Sequence, residues 1–174
     1  VLGLEIDASR LVLAQANLNA LGLGTQAQWI QADLRAALPV SAGRMALFFD
    51  PARRAAGRRV YSVKDYQPPL DTLLGWLGRF PALGVKLSPG VDHQEIQQYR
   101  AELEFISLRG ELKEAVLWFG PLQTATRRAT LLPGGDTLSA PLTHTSLPIS
   151  EPGRFLYEPD PAVLRAGLVA MLGE

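Results

Sequence analysis

Residues 45–54, with the sequence MALFFDPARR, constrain the possible folds of this chain more than any other stretch. Five consecutive apolar residues run directly into Asp50-Pro51. An apolar run that ends at such a turn signal is typical of a strand buried on both faces of a parallel sheet. Pro51 lacks an N–H and has a fixed φ, so the strand is expected to end before it. Asp50 is therefore predicted at the carboxyl end of a buried strand, where open α/β sheets bind ligands. The alternative is that Asp50 only caps a turn.

Composition narrows the classes of protein and of site that this chain can form. Its 174 residues predict one domain, or one domain with a small appendage. The 17 basic and 17 acidic residues cancel, so no global field indicates a nucleic-acid partner. The absence of cysteine and the presence of only two histidines exclude disulfides, thiolate metal sites and a histidine-rich metal site, and no metal is predicted. No apolar run is long enough to span a membrane and no signal peptide is visible, which favours a cytoplasmic protein.

The apolar pattern alternates between strands and helices over residues 1–122. Strands are predicted at 1–7, 27–32, 45–50 and 83–87, helices at about 9–21, 70–80 and 94–103, and a short helix or loop at 34–42. Two further strands, 104–108 and 115–119, are joined by a turn around Gly110. They must be antiparallel, because the link is too short for a crossover. We therefore expect an α/β fold with a doubly wound, mostly parallel sheet and an antiparallel last strand.

The pattern changes after residue 121, and the rest of the chain is predicted to be a small appendage. Residues 133–136 (PGGD) lie between two short apolar segments and indicate a hairpin. Residues 140–153 are rich in Pro, Ser and Thr and predict a loop. Asp160-Pro161 is a typical helix start, and this helix is predicted to reach about residue 172. The predicted domains are therefore 1–122 and 123–174.

Acidic residues follow each of the first three predicted strands, namely Glu5 with Asp7, Asp33, and Asp50. Because parallel strands share one carboxyl edge, we expect these side chains to line a single crevice. Adjacent carboxylates repel each other, so the crevice requires hydroxyl, amine or cationic partners. A nucleoside offers ribose hydroxyls and an exocyclic amine, and it would meet this requirement.

The order of these motifs resembles the class I S-adenosylmethionine-dependent methyltransferases, which have a Rossmann-like sheet. The similarity covers residues 1–122 and lies in LGLEID, the A-x-x-N of residues 14–17, WIQAD, FFDPARR and the final antiparallel hairpin. The resemblance implies S-adenosylmethionine as the cofactor. The reaction would be methyl transfer to a nitrogen or oxygen atom of the substrate.

The same resemblance implies a role for each residue that matches a motif. Glu5 would bind the ribose hydroxyls, and Ile6 would pack on the adenine ring. Asp33 would accept a hydrogen bond from the adenine amine, with Leu34 beside it. Asp50 would lie against both the cofactor and the substrate, where it would orient the nucleophile. Pro51 and Arg53 would complete the catalytic group, and Arg53 would hold the substrate.

A narrower resemblance is to bacterial methyltransferases that carry a THUMP-like domain at the C-terminus. It lies in DPARRAAGRRVYSVKDYQPPL, VKLSPGVD, LLPGGDTL and FLYEPDPAVLRAGL. Residues 123–174 would then be an incomplete copy of that domain. The first strand and the glycine-rich loop of the family would precede Val1, which implies a fragment that is inactive alone. The missing strand would lie between residues 2–6 and 46–49, which would stand roughly 9–10 Å apart. The Asp-Pro-Ala-Arg signature differs from the Asn-Pro-Pro-aromatic signature of amino-methylating enzymes, so the methylated atom stays open.

Residues 44–64 contain an excess of positive charge around a single acid, Asp50. The basic residues are Arg44, Arg53, Arg54, Arg58, Arg59 and Lys64. We predict that Arg53, Arg54, Arg58 and Arg59 contact the phosphates of an RNA substrate, which would make RNA modification the function. The alternative is a solvated loop whose arginines pair with nearby acids.

Several other residues admit two interpretations. Tyr61 and Tyr66 flank the basic stretch and could stack on a base, although packing is the commoner use of such rings. Lys86 lies within a predicted strand and is either partly exposed or buried with a lowered pKa.

Two rival functions remain open. The first is a non-catalytic nucleotide- or RNA-binding module that keeps the methyltransferase fold. The second is a nicotinamide-dependent dehydrogenase, which also places an acid after its second strand. The dehydrogenase does not account for Asp33 and Asp50-Pro51 together.

Overall fold

A computed structural model describes residues 1–36, 38–41, 45–55, 58–140, 151 and 153–172, with only the backbone described at 54–55 and 58–59. The chain forms two compact units, Val1–Gly43 and Arg44–Glu174, and each is described by itself. Among the described residues, no helix has the length and apolar character needed to cross a lipid bilayer.

The first unit is a parallel strand pair connected by one helix. Strand β1 (Leu2–Glu5) pairs in parallel with β2 (Gln28–Gln31), and helix α1 (Ala8–Ala20) joins them. The predicted helix start is confirmed, because Asp7 Oδ1 accepts from the N–H of Ser9 at 2.8 Å. The helix ends where Gly22 adopts a φ of +71°.

The second unit is built on a six-stranded sheet. Its strands are β3 (Ala46–Phe49), β6 (Ala82–Leu87), β7 (Glu102–Leu108), β8 (Glu111–Phe119), β9 (Arg127–Leu132) and β10 (Asp136–Ala140). Strands β4 (Arg54–Ala55) and β5 (Arg58–Arg59) form a separate two-residue ladder. The order across the sheet is β10-β9-β7-β8-β6-β3.

Four of these six strands run in the same direction. The pairs β3–β6 and β7–β9 are parallel, whereas β8 is antiparallel to both of its neighbours and β10 is antiparallel to β9. The predicted antiparallel pairing of β7 with β8 is confirmed. A mixed α/β fold in which most strands are parallel is also confirmed.

The predicted helices of the second unit are shorter than expected. The helix predicted at 70–80 is a 3-10 turn, Leu70–Leu73, that continues into α2 (Leu74–Leu77). The helix predicted at 94–103 consists of α3 (His93–Ile96) and a 3-10 turn, Gln97–Tyr99. Its predicted end was wrong because Arg100 has a φ of +50°, which stops the helix. Residues 102 and 103 belong to β7 instead.

Residues beyond 122 extend the same sheet, because β9 pairs in parallel with β7 from Leu103 to Leu108. The predicted division at residue 122 therefore does not interrupt the sheet. Helix α4 (Pro161–Ala166) starts with the predicted Asp160 cap, whose Oδ1 accepts from Ala162 N at 2.8 Å. It ends at Gly167, which has a φ of +69°, so its predicted extension to residue 172 was wrong. Most of the loop predicted at 140–153 lies outside the described residues.

Alternation along the central strands builds the core. Leu83, Val85 and Leu87 of β6 are fully buried, as are Phe105 of β7 and Ala129 of β9. Helix α4 packs against β7 and β9. The core therefore includes the contact of α4 with the sheet, and near β3 the Phe49 ring packs edge-on against the Trp76 ring of α2, with 5.0 Å between the ring centroids.

Two buried glutamates stabilise the crossing from β8 to β9. The Glu102 carboxylate accepts from the N–H groups of Thr124 and Ala125 at 2.5 and 2.8 Å, and it pairs with Arg128 at 2.8 Å. The Trp118 indole donates to Glu104 at 2.6 Å. These bonds satisfy groups that would otherwise be buried without partners.

Replacing Gly120, which follows β8, should lower the stability of the protein. The φ of Gly120 is +59°, and a Cβ at this position would lie 1.8 Å from the carbonyl oxygen of Pro81. We expect Gly120→Ala to lower the free energy of unfolding by roughly 2–3 kcal/mol in a denaturant titration. Gly75→Ala is the control, because a Cβ there meets nothing within 4 Å and alanine favours the helix by about 1 kcal/mol. Equal unfolding midpoints for the two variants would contradict the positive-φ argument.

Candidate functional site

Glu5 and Asp33 follow the carboxyl ends of neighbouring parallel strands in the first unit. Glu5 is aligned with Gln31 in the β1–β2 ladder, and the N–H of Ala32 donates to the Glu5 carbonyl at 3.0 Å. Asp33 comes two residues after the end of β2. The ladder therefore brings both acids to one edge of this strand pair, as their sequence positions predict.

The Glu5 carboxylate is partly occupied by its own turn. Its Oε1 accepts from the N–H groups of Ile6 and Asp7, at 2.8 and 3.0 Å. Its Oε2 lies 3.6 Å from Arg10 Nη1, an exposed ion pair. One oxygen therefore fixes the side chain, and the other is held only by a weak contact that a ligand hydroxyl could replace.

An apolar side chain lies next to this carboxylate. Ile6 follows β1 directly and is 52 % exposed, although an isoleucine at the end of a strand is more commonly buried. Its carbonyl accepts from the Gln31 amide at 3.0 Å, which fixes the backbone beside Glu5. Leu34 is half-buried. A carboxylate beside an accessible apolar side chain fits a ligand that has hydroxyls at one end and a flat apolar ring at the other.

Asp33 is engaged by Arg35, a partner that the sequence interpretation missed. The guanidinium contacts both carboxylate oxygens through Nε, at 2.9 and 3.1 Å, and through Nη2 at 2.6 Å. These hydrogen bonds lower the pKa of Asp33 from 3.8 to about 2. The Asp-x-Arg spacing was the available signal, because a side chain two residues along a turn can fold back onto the acid. A ligand amine would compete with an exposed guanidinium at this carboxylate.

Asp50 lies at the carboxyl end of β3, as predicted. The register pairs Phe49 with Val85, so Asp50 is next to Lys86 of β6. The Lys86 ammonium lies 3.6 Å from Asp50 Oδ2 and 3.0 Å from Glu114 Oε1. The hydrogen bond to Glu114 is the main cause of a raised pKa for Lys86. The interpretation of Lys86 as partly exposed is confirmed, and the alternative of a lowered pKa is wrong.

The residues after Asp50 are attached to the end of β6. Pro51 is buried, and Arg53 Nη1 donates to the Leu87 carbonyl at 3.1 Å. Ala52 and Gln67 exchange backbone hydrogen bonds at 2.9 and 3.0 Å. The Arg53 guanidinium is therefore held at the same edge as Asp50.

The two tyrosines of this region differ in their surroundings. Tyr66 is fully buried, and its hydroxyl accepts from the N–H of Ser88 at 3.1 Å. It packs in the core, and this excludes base stacking for Tyr66. Tyr61 is largely exposed.

The other arginines of the basic stretch are described only in part. Arg54 pairs with Arg59, and Ala55 with Arg58, in the β4–β5 ladder. The side chains of Arg54, Arg58 and Arg59 lie outside the described part of the chain, as does the whole of Arg44. Their contact with a substrate therefore stays a prediction.

Glu5 and Asp33 belong to the first compact unit and Asp50 to the second, and the convergence of the three acids also stays a prediction. The same holds for the expected gap between β1 and β3. Within the described ranges, no group of three or more His, Asp or Glu side chains has the arrangement of a metal site.

The chain is similar to proteins that carry methyltransferase names. Two proteins of Mycobacterium tuberculosis, from strains CDC 1551 / Oshkosh and ATCC 25618 / H37Rv, are both named uncharacterized S-adenosylmethionine-dependent methyltransferases. Each is 38 % identical to this chain over 176 residues, which cover 98 % of the chain and 47 % of the relative. The chain therefore spans about half the length of these relatives. No protein-family model matches it.

A solved structure shares the fold. The crystal structure of a candidate methyltransferase from Porphyromonas gingivalis W83 superposes with a TM-score of 0.68 and 24 % sequence identity. The match covers 99 % of this chain and 47 % of that protein. This similarity is one of fold.

The Asp33–Arg35 pair makes a direct prediction about titration. We expect Arg35→Gln to move the pKa of Asp33 from about 2 toward 3.8, because the guanidinium hydrogen bonds are its largest cause. Nuclear magnetic resonance of the side-chain carboxyl carbon measures this midpoint. Since the folded-state pKa is lowered, the stabilisation by the pair is complete above pH 3.8 and is lost as the pH falls through about 2. Arg10→Gln is the control, and a midpoint that stays in place after Arg35→Gln would show that the pair does not form.

Proposed function

We propose that this chain is part of a class I S-adenosylmethionine-dependent methyltransferase with a Rossmann-like sheet. The observation that carries the proposal is the end of β1, where the half-engaged Glu5 carboxylate lies beside the exposed Ile6. The names of the mycobacterial relatives support the same chemistry. The chain spans about half of the length of these relatives, and our proposal includes that these 174 residues are inactive alone.

The residues at the end of β1 and β2 fit an adenosine moiety. Glu5 Oε2 would accept from the ribose hydroxyls once Arg10 moves away, and Ile6 would pack on the adenine ring. Asp33 would accept from the adenine amine in competition with Arg35, and Leu34 would lie beside it. S-adenosylmethionine supplies an electrophilic methyl group, and the protein's own contribution is to bind and orient its partners.

The residues at the end of β3 would hold the substrate. Asp50 would contact the cofactor and accept a hydrogen bond from the nucleophile, and Pro51 would fix the backbone at this point. Arg53 would hold an anionic part of the substrate, since its guanidinium is anchored to the end of β6. These three residues would act mainly through position and electrostatics.

RNA is the substrate class that we propose. Four arginines follow Asp50 within the next nine residues, and phosphate contacts by arginine supply much of the affinity for nucleic acid. Residues 123–174 would form the incomplete THUMP-like part, which β9 joins to the main sheet. A cytoplasmic location would give such an enzyme access to RNA.

The ribose assignment is tested by Glu5→Gln in the complete protein. Glutamine keeps an oxygen for the N–H groups of Ile6 and Asp7 and removes the charge that would face the ribose. We expect a loss of about 1.5–3 kcal/mol, or roughly 10- to 150-fold in affinity for S-adenosylmethionine by calorimetry. Asp7→Asn is the matched control, because asparagine still caps α1. Unchanged affinity in Glu5→Gln would refute the ribose role.

The RNA assignment is tested by replacing Arg53, Arg54, Arg58 and Arg59 with glutamine. Each lost phosphate contact should reduce the slope of log K against log salt by about 0.7–0.9 in an RNA-binding titration. Arg79 and Arg100 provide the control substitutions, because they precede strands that begin at the opposite edge of the sheet. If the slope is the same before and after the four substitutions, the arginines form a solvated loop and RNA is the wrong substrate class.

A further inference from the structure

Lys86 forms a charged cluster at the carboxyl edge of β3 and β6 that the proposed function leaves unexplained. The cluster consists of Lys86, Asp50, Glu114 and the nearby Arg53. Two acids and two cations meet there, so the cluster is electrically balanced. A lysine on a strand flanked by buried apolar residues is uncommon unless it is paired.

The position of Lys86 follows from the alternation of β6. Its neighbours Val85 and Leu87 point into the core and are fully buried, so Lys86 extends from the opposite face. Its side chain is only 23 % exposed. The methylene groups of Lys86 therefore lie along the sheet, and its ammonium reaches the carboxyl edge at which β3 ends.

The Lys86 ammonium attracts Asp50 as an ion pair, at 3.6 Å from Oδ2, which is beyond the length of a hydrogen bond. The Asp50 side chain is 54 % exposed, and within the described ranges the Lys86 ammonium is the only group that contacts its carboxylate. Pro51 fixes the backbone that follows Asp50 but not the rotamer of the Asp50 side chain. Without Lys86, no other ion pair among the described residues would restrain this carboxylate.

We propose that Lys86 is a positioning residue that holds Asp50 Oδ2 and thereby presents Asp50 Oδ1 to the substrate nucleophile. This inference rests on the proposed function, in which Asp50 accepts a hydrogen bond from the substrate. It adds a requirement to the substrate class. An ionised carboxylate accepts hydrogen bonds and donates none, so the nucleophile must carry an N–H or an O–H. An amine or a hydroxyl meets this requirement, and a carbon nucleophile does not.

Glu114 keeps the ammonium in place from the other side. Lys86 is opposite Val116 in the antiparallel β6–β8 pair. Glu114 comes two residues before Val116 in the chain, and it therefore lies toward the edge at which β6 ends. The contact of Lys86 with Glu114 is shorter than its contact with Asp50, at 3.0 against 3.6 Å. The pKa of Lys86 is raised chiefly by Glu114 and further by Asp50, and Arg53 lowers it. Lys86 therefore stays protonated and acts as a hydrogen-bond donor rather than as a base.

The kinetic experiment is a double-mutant cycle in the complete protein. Lys86→Met removes the charge and keeps the stem, Asp50→Asn removes the carboxylate, and a third variant combines the two. We expect Lys86→Met to lower kcat for methyl transfer to RNA about 10- to 100-fold, with KM for RNA and affinity for S-adenosylmethionine within about twofold.

The rescue variant Lys86→Arg should recover most of the lost kcat. The combined variant should be no slower than Asp50→Asn alone, because Lys86 acts through Asp50. Lys113→Met is the control, since Lys113 is the neighbour of Glu114 on β8 but forms its ion pair with Glu111.

The outcomes separate this inference from the proposed function. If Asp50→Asn lowers kcat but Lys86→Met does not, or if the two effects multiply, the positioning role is wrong and the methyltransferase function stands. If the protein binds S-adenosylmethionine and Asp50→Asn leaves kcat unchanged, the role of Asp50 fails, and the role of Lys86 fails with it.

A second measurement needs no methyl transfer and leaves Lys86 in place. The Lys86 side chain is followed by nuclear magnetic resonance as a function of pH. Its pKa should fall in Glu114→Gln and, by a smaller amount, in Asp50→Asn, since both acids raise it. A Lys86 pKa that does not move in Asp50→Asn would show that the contact is absent and would overturn the proposal whatever the activity.

Discussion

The parallel pairing of β3 with β6 is the constraint on which the carboxyl edge of the second unit depends. The register of Phe49 with Val85 sets Asp50 beside Lys86, and a shift by one residue would turn Lys86 into the core. The register is fixed by burial, because Leu83, Val85 and Leu87 are fully enclosed while Lys86 is not. The hydrophobic pattern of β6 therefore determines that Lys86 lies beside Asp50, which follows β3.

Loops at this edge are held by side chains that satisfy backbone groups. Glu95 accepts from the Ser62 hydroxyl and the Val63 N–H, both at 2.9 Å. From α4, Arg165 donates to the carbonyls of Pro89 and Val91 at 3.1 and 2.8 Å. Each bond pairs a group that a loop cannot satisfy by itself. The appended helix α4 thus stabilises the segment that follows β6, which gives the residues beyond 122 a structural role at the edge that carries Asp50.

Much of the fold was predictable from local signals, and the errors have physical causes. The strand before Asp50, the Asp160 cap and the β7–β8 pairing were predicted correctly, because each depends on a few neighbouring residues. The predicted burial of that strand on both faces was wrong, because β3 is the last strand of its sheet and Phe48 is 58 % exposed. Two helix ends were wrong because a residue with a left-handed backbone conformation stopped the helix early, namely Arg100 after α3 and Gly167 after α4. The positions of Glu5, Asp33 and Asp50 were predictable because each acid comes at or just after the end of a strand. Their ion-pair partners were not predicted. Lys86 meets Asp50 and Glu114 across strands that are distant in sequence, and no single-sequence pattern encodes such a pairing.

The acids at the two strand edges are neutralised in physically different ways. Arg10 and Arg35 come from the same short segments as Glu5 and Asp33, and they form pairs that are largely exposed. Such pairs contribute little free energy, so a ligand can displace the arginines at small cost. The Lys86 ammonium is mostly covered and is held between two carboxylates, so its removal would leave acids facing each other. The edge of β1 and β2 is therefore suited to exchanging a ligand, whereas the edge of β3 and β6 is suited to keeping the Asp50 carboxylate in one place.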